Sequence, residues 1–343
     1  MPRAPGPPTE AGGPPDYGSP SRGPVPGSFY PLNIDRVLQL TVSLFRFRWR
    51  LFLGIALMIL VPMSAVSGLL QAFTVEAIAL STQEMVLAVV RGDTSAASML
   101  ALIPWPALIA SWLVSLLISL ITYLALAATT HATAIAFGGG RPTVIQSLRQ
   151  ALSRFGALAV VYLVSFFVTL SVILVGGAVA GLLFLANVSN GSVQPGPFVF
   201  MALIVIVALI ALVIFIAVRW SFAIAAVMIE NAPGLNALRR SWGLAVGSSW
   251  RIFGYLLLFG LLGGLPAAVI GYVVTLFLGS GVAQTATGLI ANPIEAFAST
   301  FVIGVIAALF SPFPTIALTL LYFDVRWRRG EPVPQPGTPI PPI

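Results

Sequence analysis

A chain of 343 residues that is 58% hydrophobic and only 8% charged carries more apolar surface than a soluble core could hide, which excludes an ordinary soluble domain. Its net charge of +7 comes from seventeen arginines without a lysine, placed at the ends of apolar stretches rather than on a soluble basic face. That placement argues against nucleic acid as a partner and for anchoring to lipid phosphates; the absence of cysteine removes disulfides, thiolate nucleophiles and thiolate metal sites.

In chain order, residues 1–31 come first, with prolines at 2, 5, 7, 8, 14, 15, 20, 24 and 26. No apolar run follows a charged start there, so the segment does not read as a signal peptide. It cannot bury enough to offset its ordering entropy and reads as a disordered or polyproline tail, as does 331–343. A plain solvated tail is favoured over recognition by SH3-like domains.

Between the tails, residues 32–330 read as an all-α membrane protein with six transmembrane helices. The stretches are Leu51–Leu70, Pro106–Ala128, Ala157–Phe184, Phe198–Val218, Ile252–Leu278 and Phe297–Tyr322. Each reaches or approaches the roughly 20 apolar residues or more that cross a bilayer as helix. They are apolar on every face, whereas barrel strands alternate. Pro104, Pro106 and Pro197 suit a first helical turn. Pro62, Pro266, Pro312 and Pro314 fall inside spans, which predicts kinks or breaks there.

Six spans put both termini on one side. That side collects Arg36, Arg46, Arg48, Arg50, Arg141, Arg149, Arg154, Arg219, Arg239, Arg240, Arg251, Arg326, Arg328 and Arg329, with Arg3 and Arg22 of the tail. The other side holds Arg91, with Glu76, Glu84, Asp93 and Glu295. Positive charge gathers inside, so the reading is a multi-pass cell-membrane protein with both termini cytoplasmic. Two Asn-x-Ser sequons, at Asn187 and Asn190, fall on the outer side and read as chance occurrences in a turn.

The segments leading into spans one, three and five share a pattern. Arg36, Gln39, Ser43, Arg46 and Arg50 oppose Val37, Leu40, Leu44 and Phe47. Gln146, Arg149, Gln150 and Ser153 oppose Ile145, Leu148, Leu152 and Phe155. Asn236, Arg239, Arg240, Gly243 and Gly247 oppose Leu235, Leu238, Trp242 and Val246. Each predicts a cytoplasmic amphipathic helix in the headgroup plane, with guanidinium groups toward phosphate. The lipid-phosphate contacts are assigned to Arg46, Arg50, Arg149, Arg239, Arg240 and Arg251. The chain reads as a threefold repeat of one interfacial helix plus two spans, with units beginning near residues 34, 142 and 234. The competing explanation is that any inner-leaflet loop gathers arginine and aromatics.

Two further stretches, Val218-Arg219-Trp220-Ser221-Phe222 through Ala237-Leu238-Arg239-Arg240-Ser241-Trp242, and Leu320-Leu321-Tyr322-Phe323-Asp324-Val325-Arg326, join the Val37–Arg50 segment in a resemblance. Over residues 32–330 the chain resembles the bacterial family of the glycerophosphoryl diester phosphodiesterase membrane domain. In some relatives this module is fused to a soluble phosphodiesterase barrel, which would need roughly 200 or more further residues. It would also need histidine and metal-binding carboxylates, and this chain has one histidine, His131. The resemblance therefore implies the membrane module without the catalytic barrel.

The residues offer no catalytic set, no metal site and no cofactor. His131, among threonines, reads as a hydrogen-bonded interfacial side chain rather than a proton carrier. Gly138-Gly139-Gly140 lacks the Gly-Lys-Ser/Thr ending of a phosphate loop and reads as a turn. Arg219 stands out, because an apolar helix running on from Trp220 to Ile229 would pull it below the headgroups. Asp324, at the end of span six on the same side, is the partner expected for a structural Arg219–Asp324 ion pair; snorkelling to lipid phosphate is the alternative. Function then reads as a non-enzymatic membrane module that organises lipids or a membrane-protein partner. The alternative is a transporter or permease subunit for a neutral or lipid-like substrate. A polar mid-membrane cavity would favour the second and a dry interior the first.

Overall fold

The computed structural model describes residues 33–92, 101–189, 195–279, 282–285 and 288–333. Both expected tails, apart from Glu331–Val333, and the sequon at Asn190 lie outside those residues. Among the described residues the chain is helical: α1 (Ile34–Phe47), α2 (Trp49–Val90), α3 (Trp105–Phe137), α4 (Val144–Ser153), α5 (Phe155–Ser189) and α6 (Pro195–Trp220). It continues with α7 (Ala223–Glu230), α8 (Gly234–Ala245), α9 (Ser249–Leu278), α10 (Pro293–Phe310) and α11 (Pro312–Arg328). A short antiparallel hairpin, β1 (Val282–Thr285) with β2 (Gly288–Ala291), interrupts the helical order between α9 and α10. Six helical segments are long and apolar enough to cross a membrane: α2, α3, α5, α6 with α7, α9, and α10 with α11. The protein is a multi-pass membrane protein. Helix is the form that satisfies every backbone group of such segments internally.

Two expectations about these helices change, the length of α2 and the continuity of the fourth span. At 42 residues α2 is about 63 Å long, roughly twice the hydrocarbon core, so it runs well past the expected end at Leu70 and carries Glu76 and Glu84. Neither Pro62 in α2 nor Pro266 in α9 ends its helix. The sixth span does divide, at Ser311 between α10 and α11. Pro312 there cannot donate to the Ala308 carbonyl four residues back, and the Ser311 hydroxyl donates to that carbonyl at 3.0 Å instead. The fourth span divides without proline or glycine, at Ser221–Phe222.

The buried core lies toward one end of the bundle, and α11 runs through it with Thr315–Ala317 and Thr319–Val325 buried. Around it pack small residues of α3 (Ala127, Ala128, Ala132), α7 (Ala225, Ala226) and α8 (Ala237, Ala245), with Phe222, Leu244 and Ile252. Small side chains let backbones approach closely, which is how helices associate where lipid removes a hydrophobic drive. Phe45 of α1 meets Phe313 of α11 at 4.3 Å between ring centroids, and Phe137 of α3 stacks on Phe323 of α11 at 5.5 Å. Away from this end α2 runs along α10: a β-carbon on Gly304 would lie 2.7 Å from the Ser64 Cβ, and one on Gly68 2.9 Å from the Phe297 ring. Exposed Phe200, Leu203, Ile204, Val207 and Ile210 cover the outside of α6, as expected of a face that meets lipid.

The three segments before spans one, three and five are the helices α1, α4 and α8, and each sits at the core end. Every one buries small or short side chains inward: Val37 and Thr41, Ser147 and Ala151, Ala237 and Ser241. Beside that face each leaves an apolar row exposed (Phe47; Ile145 and Leu152; Leu235 and Trp242) and an arginine exposed (Arg36 and Arg46; Arg149; Arg239).

Candidate functional site

Among the described residues the ion pairs lie at the core end, in two networks. Asp324 is fully buried on α11. Its Oδ2 accepts from Arg328 Nε at 3.0 Å, one turn along the same helix, and pairs with Arg251 Nη2 at 2.9 Å from the first turn of α9. The Arg251 guanidinium also lies 5.7 Å over the Tyr255 ring. Burying a carboxylate is costly unless guanidinium groups pair with it in this way.

The second network joins α7, α8 and α11. Glu230, the last residue of α7, accepts a two-pronged contact from Arg240 of α8, Nε to Oε2 at 2.8 Å and Nη2 to Oε1 at 3.1 Å. The Tyr322 hydroxyl donates to Glu230 Oε1, and Arg326 Nε lies 3.4 Å from the same oxygen. Glu331, expected as the first residue of a solvated tail, is bonded to Arg240 and, at 3.1 Å, to Arg326. Hydrogen bonding to Glu230 holds the Arg240 guanidinium above its ordinary pKa; burial opposes this, and Glu331 adds to it. Burial pushes the Glu331 carboxyl up, but Arg240 and Arg326 together outweigh it and keep it below its ordinary value. Arg329 closes this end by donating to the carbonyls of Leu244 at 3.1 Å and Val246 at 2.7 Å, the last acceptors of α8.

Arg219 stands apart from both networks. It ends α6 beside the break, where helix geometry leaves a carbonyl and an amide without intrahelical partners. The Ser241 hydroxyl of α8 serves both, donating to the Arg219 carbonyl at 2.8 Å and accepting from the Phe222 N–H at 3.1 Å. The break at Ser221–Phe222 interrupts the expected apolar run from Trp220 to Ile229, which resumes as α7 at Ala223. The guanidinium of Arg219 lies 5.1 Å over the Phe215 ring and 5.1 Å over the Trp242 ring. Its Nε and Nη1 are buried and have no hydrogen-bond partner. It opens onto a groove of about 440 Å³ between α6 and α9, lined by Ala211, Ile214, Phe215 and Val218 and by Ser249, Trp250 and Phe253.

The structure corrects the expected ion pair: Arg219 and Asp324 do not meet. Asp324 is paired with Arg251 of α9 and with Arg328 one turn along its own helix, whereas the Arg219 guanidinium lies over two aromatic rings. Two of the arginines assigned to lipid phosphate, Arg240 and Arg251, are instead held by carboxylates of their own chain. The other four, Arg46, Arg50, Arg149 and Arg239, are exposed, with Arg50 5.4 Å over the Trp49 ring. His131 is partly buried and its Nδ1 has no hydrogen-bond partner. The glycine run closes α3: Gly140 N–H donates to the Ile135 carbonyl at 2.9 Å and Gly139, at φ 82°, to Ala136 at 3.2 Å. That is a helix C-terminal motif, which needs a left-handed residue and explains the glycine without a bound anion. No cluster of histidine and carboxylate that could hold a metal occurs among the described residues.

Sequence reasoning missed Ser241, Tyr322 and Glu331 as working parts of this end. Ser241 carried a signal only in hindsight, as a buried-face hydroxyl between Arg240 and Trp242. No curated protein and no solved structure matches the chain. Residues 197–332, which include Arg219, Glu230, Ser241, Arg251, Asp324 and Glu331, match the family model of the membrane domain of glycerophosphoryl diester phosphodiesterase.

Proposed function

We propose that the protein is a non-enzymatic membrane module that gathers anionic lipids, and with them membrane partners, at the inner leaflet. The observation that carries this reading is the surface of α1, α4 and α8. Each helix buries one face in the core and leaves an apolar row exposed next to an arginine. An exposed apolar row beside guanidinium groups suits the boundary between acyl chains and phosphates, so these are interfacial helices. In this reading the three helices head three repeated units, the core end is cytoplasmic, and both termini lie there. The family match supports the same reading, because it is to a membrane domain and not to a catalytic one.

The native chain lacks cysteine, which makes the topology directly testable. Glu84→Cys on the outer part of α2 and Ser153→Cys at the end of α4 are to be treated with an impermeant maleimide on intact cells. Glu84→Cys labels directly and Ser153→Cys only after permeabilisation; the reverse order removes the reading.

A transporter or permease subunit is the second reading, favoured by one feature. A cavity of about 250 Å³ lies between α3, α5 and α6, lined by Tyr123, Ser165, Thr169 and Ser221 among apolar side chains. The Ser165 and Ser221 hydroxyls already donate to carbonyls of their own helices. With uncharged walls the cavity suits a neutral or lipid-like substrate, and protein-dependent solute or lipid flux in proteoliposomes would establish this reading over the first.

A further inference from the structure

We propose that Arg219 binds the phosphate of an anionic phospholipid whose acyl chain occupies the groove between α6 and α9. The site deepens the lipid-gathering reading and rests on it in one respect, that the core end lies at a leaflet surface. It is separate from the exposed arginines of α1, α4 and α8.

Four observations converge on it. First, the rings of Phe215 and Trp242 hold the faces of the guanidinium, which leaves its N–H edge to be satisfied. Secondly, two nitrogens of that edge are buried without a hydrogen-bond partner, a costly state for a cation near hydrocarbon. Thirdly, the partly or fully buried carboxylates of this end, Glu230, Asp324 and Glu331, are engaged by Arg240, Arg251, Arg326 and Arg328. Among the described residues, none of these carboxylates is left to Arg219, and an acceptor brought by a ligand would satisfy it. Fourthly, the space in front of Arg219 is apolar and elongated along α6, from Val218 back to Ala211, which is one way an acyl chain would run below its headgroup.

The level is also right for a headgroup. Trp250, 85% exposed, borders the groove at the first turn of α9, and tryptophan favours the membrane–water boundary. The same turn presents the positive end of the α9 dipole to the groove. A phosphodiester offers two oxygens to the planar fork of arginine, and a zwitterionic headgroup would add a cation to a site already holding one.

The test uses the full chain in nanodiscs of mixed phosphatidylglycerol and phosphatidylcholine, with retained lipid read by native mass spectrometry. The wild-type protein retains one phosphatidylglycerol per chain in preference to phosphatidylcholine. Arg219→Gln weakens that retention by about tenfold or more, Arg219→Lys recovers part of it, and Arg91→Gln, at the far end of α2, leaves it unchanged. Unchanged retention in an Arg219→Gln protein that melts like the wild type overturns the proposal. Should Arg219→Gln not fold, Ala211→Phe decides, because it fills the groove from an exposed position without touching the guanidinium; loss of the lipid is expected, and full retention overturns the site. Excess glycerol phosphate does not displace the lipid, and if it does, the site is for a free phosphate and not a lipid. Replacing Arg46, Arg50, Arg149 and Arg239 together by glutamine separates the two ideas. General enrichment of anionic lipid falls while the single bound equivalent stays, so failure of the broader reading shows as unchanged enrichment, and failure of this site as loss of preference for one lipid per chain.

Discussion

The Ser241 hydroxyl donates to the carbonyl of Arg219 at 2.8 Å while accepting from the N–H of Phe222 at 3.1 Å, so a single side chain of α8 closes the gap between α6 and α7. Ser241 is fully buried, and water cannot replace it. Ser241→Ala should lower stability by about 2–3 kcal/mol, as two backbone groups lose their partner at once. Ser241→Thr should cost less. Thermal unfolding in detergent checks both, and an alanine variant as stable as the wild type would mean the break is satisfied otherwise.

Asp324 gives a second prediction. Its side chain is fully buried between Arg251 and Arg328, so Asp324→Ala leaves two guanidinium groups facing each other and should destabilise by about 3–5 kcal/mol. Single removal of Arg251 or Arg328 should cost less, since one partner remains. A double-mutant cycle between Asp324 and Arg251 should show coupling, whereas Asp324 and Arg219 should behave additively.

The Glu331 contacts predict a response to acid. Its carboxyl is held below its ordinary pKa, so it contributes stability above the unfolded-state value and loses that contribution as pH falls through the depressed folded value. The carboxylate is partly exposed, and its contribution at neutral pH should be ~1 kcal/mol. Melting curves between about pH 7 and pH 3 should show the wild-type advantage over Glu331→Gln disappear toward the acid end. An advantage that persists unchanged in acid would assign it to something other than the charge of the Glu331 carboxylate.

The α2–α10 contact predicts a steric effect far from any charge. A β-carbon at Gly304 falls on Ser64, and one at Gly68 on the Phe297 ring and backbone. Gly304→Ala should destabilise by about 1–3 kcal/mol, with Ser64→Gly restoring part of the loss; Gly68→Ala meets backbone as well and should be rescued less by trimming Phe297. The same assay measures all four proteins.

The spans were legible because their signal is long-range and redundant: some twenty apolar residues agree at each. The helices before spans one, three and five were legible from arginine and leucine spacing. The helix ends were not. Nothing in Ser221-Phe222 announces a break, because what stabilises it is Ser241, nineteen residues later and on another helix. Pro62 and Pro266 stay inside their helices whereas Pro312 stands at a division, and proline by itself does not tell these cases apart. The Arg219–Asp324 expectation failed for a related reason. Sequence shows which charges share an end of the bundle, but their pairing depends on rotation about each helix axis. There Arg251 and Arg328 had the shorter reach to Asp324.

Two populations stand out among the arginines of the core end, besides Arg219 over its aromatic rings and Arg329 on the carbonyls of α8. Arg240, Arg251, Arg326 and Arg328 are neutralised at close range by carboxylates, three of them partly shielded from solvent, while Arg46, Arg50, Arg149 and Arg239 are exposed. Dissolved ions act on these populations unequally. Raising ionic strength shortens the Debye length from about 8 Å near 0.15 M to about 3 Å at 1 M, which silences attraction at the surface while barely touching partners already in contact. Brine should therefore weaken the proposed enrichment of anionic lipid around this molecule long before it loosens the molecule itself.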